Sequence, residues 1–154
     1  MDDVTEILLK VKPRVNDAEL SVLHHRAFNR DSKEDDISII PWVSRLERHS
    51  LTWIGAYKSE TLVGFVNAVW DGGKHAFILD TVVHPDFQRS GIGRKLVNAV
   101  TEETFRAGCE WVHVDYDPEY VPFYENGCGF TPTPAGLRSS GPTQADTGNR
   151  LGRN

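Results

Sequence analysis

Few of the features that mark secreted, metal-binding or membrane proteins occur in this sequence. Its 154 residues include only two cysteines and six histidines, and no CxxC pair or HExxH segment is present. Two cysteines without metal-ligand spacing indicate a reduced protein that has neither a disulfide framework nor a metal site. No apolar run approaches the length of a membrane span, and the N-terminus lacks the apolar core of a signal peptide. These absences predict a cytoplasmic protein that does not associate with a membrane.

The sequence also has fewer basic than acidic side chains. The chain carries 22 acidic and 17 basic side chains, which gives a formal net charge of −5, and it has no run rich in Lys and Arg. Nucleic-acid surfaces are built from such basic patches, so the composition argues against nucleic acid as a partner. An acidic balance suits a cationic small molecule. Many acidic proteins have no such partner, so the charge favours a cationic small molecule without identifying it, and the sequence leaves a homodimer open.

Length and composition together predict one folded domain and a tail. A chain of 154 residues is long enough for one proper hydrophobic core and short for two. Residues 132–154 are rich in Pro, Gly, Ser and Thr and contain only two leucines, which is typical of disordered segments. We predict a folded domain over residues 1–131 and a disordered C-terminal tail over residues 132–154.

The spacing of apolar residues predicts an α/β chain. Helical spacing predicts helices near residues 17–29, 41–49, 92–107 and 118–125, with Asn16 capping the first. Apolar and β-branched runs predict strands at residues 4–11, 51–57, 62–70, 76–83, 111–116 and 127–131. Three of these strands, over residues 51–83, form an antiparallel meander. The helical crossover then makes the strand at 111–116 parallel to the strand at 76–83.

The stretch from residue 75 to residue 95, HAFILDTVVHPDFQRSGIGRK, predicts a phosphate site. A buried strand ends at His84-Pro85, and a glycine-bearing turn leads into a helix. Gly91 and Gly93 allow ligand oxygens to approach the backbone, and the first N–H groups of the helix lack intrahelical partners. Neither the dinucleotide pattern GxGxxG nor the Walker pattern GxxxxGK[ST] is present. The alternative is a tight turn that binds no ligand.

This turn, Q/R-x-x-G-x-G/A after a strand that ends V-x-P, resembles the phosphate turn of the GNAT family of acyl-CoA-dependent N-acetyltransferases. The resemblance implies the GNAT fold, a mixed central sheet flanked by helices, and acetyl-CoA as the co-substrate. In that family the turn holds the pyrophosphate of coenzyme A, and an N–H at the end of the strand polarises the thioester carbonyl, a role that maps onto Val83. The implied cofactor-binding residues are Val82, Val83, Gln88, Arg89, Ser90, Gly91, Ile92, Gly93, Arg94 and Lys95.

A second motif lies at residues 121–130, VPFYENGCGF, and resembles the FYxxxGF segment of the same family. There the tyrosine lies near the coenzyme sulfur and is the usual candidate for the general acid, which here implies Tyr124. The alternative is that Phe123 and Tyr124 only pack a short helix against the sheet. One departure is visible: the chain lacks the final turn and apolar strand with which the family usually completes its sheet.

Two carboxylates are candidates for the general base. Asp80 and Asp115 each fall within a predicted apolar strand, where a carboxylate is costly unless it is paired or faces a wet cleft. Either could take a proton from the substrate ammonium, directly or through water. The alternatives are that Asp80 accepts structural hydrogen bonds and that His113 is the base.

Acidic and aromatic residues predict the acceptor site. By the resemblance, the candidate substrate-binding residues are Asp35, Asp36, Trp42, Asp117 and Glu119, and such groups suit a polar, cationic amine. Residues 75–97 and 108–130 also resemble bacterial aminoglycoside 2'-N-acetyltransferases of the kasugamycin-modifying type, which implies a role in antibiotic resistance. Two other functions remain open: acetylation of a protein or peptide amine, and a non-catalytic acyl-CoA sensor.

Overall fold

The computed structural model describes residues 6–29 and 37–141. These residues fold into five strands, three α-helices and three short helical turns. The strands are β1 (Ile7–Val11), β2 (Thr52–Lys58), β3 (Thr61–Trp70), β4 (His75–Val83) and β5 (Trp111–His113), and the helices are α1 (Asp17–Phe28), α2 (Trp42–His49) and α3 (Ile92–Arg106). Two 3₁₀ turns, Pro85–Phe87 and Pro118–Tyr120, and a π-helical turn, Pro122–Gly127, complete the described elements.

The strands form one mixed sheet in the order β1-β2-β3-β4-β5. The first four strands pair antiparallel, and β5 joins β4 in parallel after the α3 crossover. This confirms the predicted meander, the parallel fifth strand and the mixed sheet flanked by helices. Asn16 caps α1 as predicted, because its side-chain oxygen accepts a hydrogen bond of 3.0 Å from the Glu19 N–H.

Each face of the sheet is covered by a separate hydrophobic cluster. The apolar side of α3, which includes Leu96, Val97 and Val100, packs on one face. Helices α1 and α2 cover the other face, where Leu20 and Trp42 are completely buried. The sheet is therefore sandwiched between helices, and only its edges and the ends of its strands remain open for a binding site.

A β-bulge interrupts β4 immediately before its last residues. Leu79 pairs with Asn67 and Val82 pairs with Phe65, so two residues of β4, Asp80 and Thr81, lie opposite a single residue of β3. Asp80 adopts a positive φ of 57°, which is uncommon for a residue other than glycine. The bulge directs the Asp80 side chain toward α1, where it meets His24.

The C-terminal part of the sheet differs from the prediction. Strand β5 contains three residues and not the six predicted over residues 111–116, and the predicted strand at residues 127–131 is absent from the described structure. A strand needs a neighbour to pair with, and the chain beyond His113 has already separated from β4. The Phe130 N–H donates to the Tyr124 carbonyl at 3.0 Å instead of entering a ladder. The predicted division at residue 131 stays a prediction.

Candidate active site

The separation of β4 from β5 creates a cavity in the sheet. The two parallel strands pair only at His75–Phe77 and Trp111–His113, while β4 continues for six more residues without a partner on that side. The resulting cavity has a volume of about 460 Å³, within the range of roughly 300–1,000 Å³ for small-molecule sites. Its wall is formed by Ala27, Phe28, Thr81, Val82, Val83, Phe87, Gln88, Arg89, Gly91, Gly93, Arg94, Asp115, Tyr120, Phe123 and Tyr124.

The turn after β4 presents an uncapped helix N-terminus to this cavity. Gly91 is the N-cap of α3 and has a left-handed φ of 85°, so no side chain occupies the capping position. A Cβ atom at Gly91 would meet no protein atom within 4 Å, and the first N–H groups of α3 have no intrahelical acceptors. Open space in front of several N–H donors is a suitable place for a phosphate group.

Other residues of the predicted phosphate turn have structural roles. The Gln88 side chain donates to the Val83 carbonyl at 3.0 Å and so ties the turn to the end of β4. A Cβ atom at Gly93 would lie 3.2 Å from the Phe123 ring, so this glycine permits close packing of the π-helical turn. Ile92 is buried in the core. Arg89, Ser90, Arg94 and Lys95 are exposed around the turn, and the two arginines line the cavity.

Tyr124 lies on the opposite wall of the cavity. It is 8% exposed, and its ring stacks on Tyr116 at a centroid distance of 5.0 Å and meets Phe123 edge-on at 4.8 Å. The π-helical turn that carries it is a rare element often found at functional sites. These contacts hold the Tyr124 ring in one orientation at the cavity wall.

Burial raises the pKa of Tyr124 above its ordinary value, and a hydrogen bond with the Thr81 side chain acts in the opposite direction. Because burial is the larger effect, the phenol stays protonated at neutral pH. A protonated hydroxyl beside a reacting thioester can donate a proton, which is what a general acid requires.

The two candidate bases occupy different environments. Asp80 is 3% exposed and does not line the cavity; its carboxylate lies 3.2 Å from the His24 imidazole and 3.5 Å from the Asn67 amide. Asp115 lies beyond the end of β5 and not within a strand as predicted; it is exposed and lines the cavity. Of the two candidate bases, only Asp115 lines the cavity. Asp80 is buried, and its neighbour Thr81 lines the cavity instead.

The predicted acceptor residues are only partly brought to the site. Trp42 is completely buried between α2 and the sheet and does not line the cavity. Its role in binding the acceptor stays a prediction. Asp117 is half-buried and Glu119 is exposed, on the segment between Asp115 and Tyr120. Asp35 and Asp36 lie outside the described residues.

Sequence reasoning missed part of the cavity wall. Phe28 comes from the last turn of α1, and Tyr120 lies in the 3₁₀ turn before the second motif. Thr81 reaches the cavity because of the bulge, which no local sequence signal revealed. Phe123 carried a signal, since it immediately precedes Tyr124 in the recognised motif. The others on this wall that were not predicted are Ala27 and Phe87.

Two further properties concern the described part of the chain. No helix within residues 6–29 and 37–141 is long and apolar enough to cross a membrane. Among these same residues, no three His, Cys, Asp or Glu side chains are grouped so that they could hold a metal ion.

Curated relatives of this chain are named as acetyltransferases. The uncharacterized N-acetyltransferase ycf52 of Pyropia yezoensis is 35% identical over 77 residues, which are 50% of this chain and 44% of that protein. The GCN5-related N-acetyltransferase 1, chloroplastic, of Arabidopsis thaliana is 30% identical over 89 residues, 58% of this chain and 45% of that protein. The chain thus spans about half the length of the curated relatives it matches.

Solved structures show the same fold at low identity. An acetyltransferase of Trypanosoma brucei superposes with a TM-score of 0.67 at 21% identity and covers 87% of this chain and 99% of its own. The aminoglycoside N-acetyltransferase AAC(6')-Iy in complex with CoA gives a TM-score of 0.63 at 17% identity and covers 90% of this chain and 97% of its own. At these identities the likeness concerns the fold alone.

The profile of the Acetyltransferase (GNAT) family matches residues 15–130. This segment contains every described residue of the cavity wall, the phosphate turn and the second motif. GNAT acetyltransferases use acetyl-CoA as the acetyl donor, in agreement with the open phosphate turn beside a buried tyrosine. The chain belongs to the GNAT family of acetyltransferases.

Proposed function

We propose that this chain transfers the acetyl group of acetyl-CoA to a primary amine of a small cationic molecule, with an aminoglycoside as the leading candidate. The observation that carries the proposal is the cavity between the separated strands. It joins a helix N-terminus without a side-chain cap, near Gly91, to the buried phenol of Tyr124. An acetyl transfer needs both, because the donor is held through its phosphates and its thiolate must be protonated as it leaves.

The residues of the cavity fit acetyl-CoA. The first N–H groups of α3, which follow Gly91, would hold the pyrophosphate. Arg89 and Arg94 add positive charge at the same wall of the cavity. Bound there, acetyl-CoA supplies an activated acetyl group. The site thus separates an anionic end, at the phosphate turn, from a reacting end between β4 and Tyr124.

The end of β4 offers a donor to the thioester carbonyl. The His84 N–H donates to the Val63 carbonyl on the β3 side at 2.8 Å. Successive N–H groups of a strand point to opposite edges, so the Val83 N–H points to the side where β4 has no partner. A donor aimed at the place where negative charge develops is the arrangement of an oxyanion site.

Acidic residues support a cationic acceptor. Asp115 lines the cavity, and Asp117 and Glu119 follow it on the same segment. Negative side chains at the mouth of a cavity favour an ammonium over a neutral or anionic molecule. The aminoglycoside assignment rests on the sequence resemblance of residues 75–97 and 108–130. A role in antibiotic resistance and a cytoplasmic location remain predictions.

A panel of amines with acetyl-CoA, followed as release of free thiol, tests the proposal. We expect turnover with aminoglycosides that carry a 2'-amine, kasugamycin among them, and less with neutral amines. Turnover only with peptide amines would replace the small molecule by a protein or peptide substrate. Tight binding of acetyl-CoA without acetylation of any amine would contradict the enzyme and favour an acyl-CoA sensor.

A charge-neutralising pair tests whether the predicted acidic loop attracts the acceptor. We expect Asp35→Asn with Asp36→Asn to lower kcat/KM for a cationic acceptor by about threefold to tenfold, since a single charge–charge attraction in water contributes only roughly 0.2–1 kcal/mol. The salt dependence of kcat/KM should flatten, while the Kd of acetyl-CoA stays the same.

The matched control is Glu60→Gln with Glu102→Gln, which changes the net charge equally at two exposed positions that do not line the cavity. An equal loss in the control would show that net charge alone acts. An equal loss with a neutral acceptor would remove the loop from acceptor binding.

A further inference from the structure

A buried chain of polar groups runs under the α1 side of the sheet to the bulge in β4. The Ser50 hydroxyl donates to the Asn67 side-chain oxygen at 2.6 Å, and the Asn67 amide donates to one Asp80 oxygen at 3.5 Å. The other Asp80 oxygen lies 3.2 Å from Nε2 of His24. Because an ionised carboxylate only accepts hydrogen bonds, this contact requires a proton on Nε2, and in the neutral imidazole Nδ1 then carries a lone pair.

The backbone at Asp80 is held in a strained conformation. Its φ of 57° lies in the left-handed region, and the next residue, Thr81, lines the cavity and is a hydrogen-bond partner of Tyr124. Strain of this kind costs free energy and is retained mainly where it positions a functional group. Here it turns the carboxylate away from the cavity and onto His24.

His24 lies between Asp80 and the cavity wall. Its ring contacts Phe28, a wall residue, at a centroid distance of 5.0 Å, and Trp42 at 5.4 Å. The His24 side chain is 17% exposed, whereas the Asp80 side chain is 5% exposed. A proton that reached this pair would therefore enter and leave through the imidazole.

Trp42, whose ring centroid lies 5.4 Å from that of His24, carries an unpartnered donor. The indole Nε1 of Trp42 is buried and has no hydrogen-bond partner among the described residues. Buried donors of this kind are normally satisfied by an ordered water. Such a water would lie near the His24 imidazole and could relay a proton to its lone pair.

We propose that His24 is the proton acceptor for the substrate ammonium, through water, and that Asp80 is a positioning residue that holds the imidazole in the accepting tautomer. This inference rests on the proposed acetyl transfer. It assigns a base role to a residue of α1 that no motif indicated, and it gives the strained Asp80 a task other than direct contact with substrate.

The charged groups around His24 are few in the described structure. Asp80 faces the ring from β4, and β3 contributes the uncharged Asn67. From α2, the Arg45 guanidinium lies over the Trp42 ring at 5.1 Å. His25 and Arg26 follow on α1 itself. Asp80 is thus the one carboxylate among these neighbours, and it alone can stabilise an imidazolium.

The protons balance over one turnover. The ammonium gives one proton to His24, and the amine nitrogen then forms its bond to the acetyl carbon. As the C–S bond breaks, Tyr124 gives its proton to the departing sulfur, and the second proton that leaves the nitrogen replaces the one that Tyr124 has lost. His24 returns its proton to solvent, so each acetyl transfer yields an amide, a free thiol and one proton.

The test compares pH profiles of kcat/KM for the wild type, His24→Gln, Asp80→Asn and the neighbouring control His25→Gln. Asparagine is chosen at position 80 because it tolerates a positive φ. We expect the wild type to lose activity toward acid pH as the base is protonated. His24→Gln should abolish this acid limb and lower kcat/KM near neutral pH by about tenfold, a modest loss for a general base because water can still accept the proton.

Asp80→Asn should lower kcat/KM but keep an acid limb, because the imidazole that accepts the proton is still present, now with its tautomer disturbed. His25→Gln should behave as the wild type, and the Kd of acetyl-CoA should be unchanged in all variants. The opposite pattern, an acid limb lost in Asp80→Asn and kept in His24→Gln, would make Asp80 the direct base and overturn the inference. Should His24→Gln not fold, the pH profile of Asp80→Asn decides by itself. An acid limb that is kept supports the inference, and one that is lost overturns it.

A second readout does not depend on turnover. Nitrogen-15 NMR of the His24 ring reports which nitrogen carries the proton. We expect a protonated Nε2 and a bare Nδ1 in the wild type, and a change in this tautomer population in Asp80→Asn. A ring protonated at Nδ1 in the wild type would overturn the inference, even if no acceptor amine had been found. Failure of the amine panel with the expected tautomer present would instead count against the proposed function.

Discussion

Replacing Gly91 with valine is expected to weaken acetyl-CoA binding by about tenfold to 100-fold, because several N–H contacts of roughly 0.3–1 kcal/mol each are lost together. Gly91 precedes α3 and lines the cavity, and no protein atom lies within 4 Å of the position its Cβ would take. A branched side chain would therefore fill the space in front of the helix N-terminus. We expect the larger part of the loss to come from this blockage.

Gly72 provides a matched control for the backbone strain. It has a φ of 79° against 85° for Gly91, and a Cβ there would also meet nothing within 4 Å, but it lies in the turn between β3 and β4 and does not line the cavity. Gly72→Val and Gly91→Val should each lower the free energy of unfolding by roughly 1–3 kcal/mol. Only Gly91→Val should affect binding.

Calorimetry with acetyl-CoA and thermal unfolding of both variants check this prediction. A folded Gly91→Val protein with unchanged affinity would show that the pyrophosphate does not lie at this turn. An equal loss of affinity in Gly72→Val would mean that general destabilisation, and not blockage of the helix N-terminus, accounts for the effect.

Tyr124→Phe is expected to lower kcat by about 10²–10⁴-fold, the usual contribution of a general acid. The Tyr124 hydroxyl is the only group removed, and its ring keeps its contacts with Tyr116 and Phe123. Coenzyme A binding should persist because the phosphate turn is untouched. A fall in kcat at constant acetyl-CoA affinity identifies an interaction made mainly in the transition state.

Tyr116→Phe is the control for this change. Tyr116 stacks on Tyr124 and donates its hydroxyl to Glu125 at 2.8 Å, but it does not line the cavity. Removing this hydroxyl should leave kcat within a few-fold of the wild type. If Tyr124→Phe kept full activity with a good acceptor, the proton would come from water, and Tyr124 would have a packing role alone.

The alkaline side of the pH profile of kcat should reflect loss of the proton from the Tyr124 phenol. Burial raises the pKa of Tyr124 above the ordinary value of 10.0. The acid form is therefore complete at neutral pH, and kcat should fall only as the pH rises above about 10. A loss of kcat on the alkaline side at much lower pH, absent from Tyr124→Phe, would contradict the raised pKa.

The sequence predicted most of the fold because its signals are local. The Asn16 cap, the hairpin between β2 and β3 and the apolar side of α3 each depend on neighbouring residues, and the structure confirms them. The predictions over residues 111–116 and 127–131 failed where a strand depends on its partner. Apolar and β-branched residues favour a strand, but without a neighbouring chain to pair with no ladder forms.

The candidate site divides in the same way. The glycine turn and Tyr124 could be predicted because the family motifs hold them at fixed spacing, and the structure places both on the cavity wall. The burial of Trp42 could not be predicted, since the sequence does not tell which side of a short helix faces the core. His24 had no motif, and only its distance to Asp80 across 56 residues of sequence gives it a candidate role.

The sequence by itself determined most of the order of the elements, the family and the positions of its two motifs, because these depend on local pattern and on fixed spacing. Tertiary structure decided three other matters: where β4 and β5 separate, which way the bulge turns Asp80, and that the imidazole of α1 meets it. Strand separation and bulges arise from competition between pairing, packing and twist among distant segments. No window of the sequence contains that competition, so only the folded chain could show it.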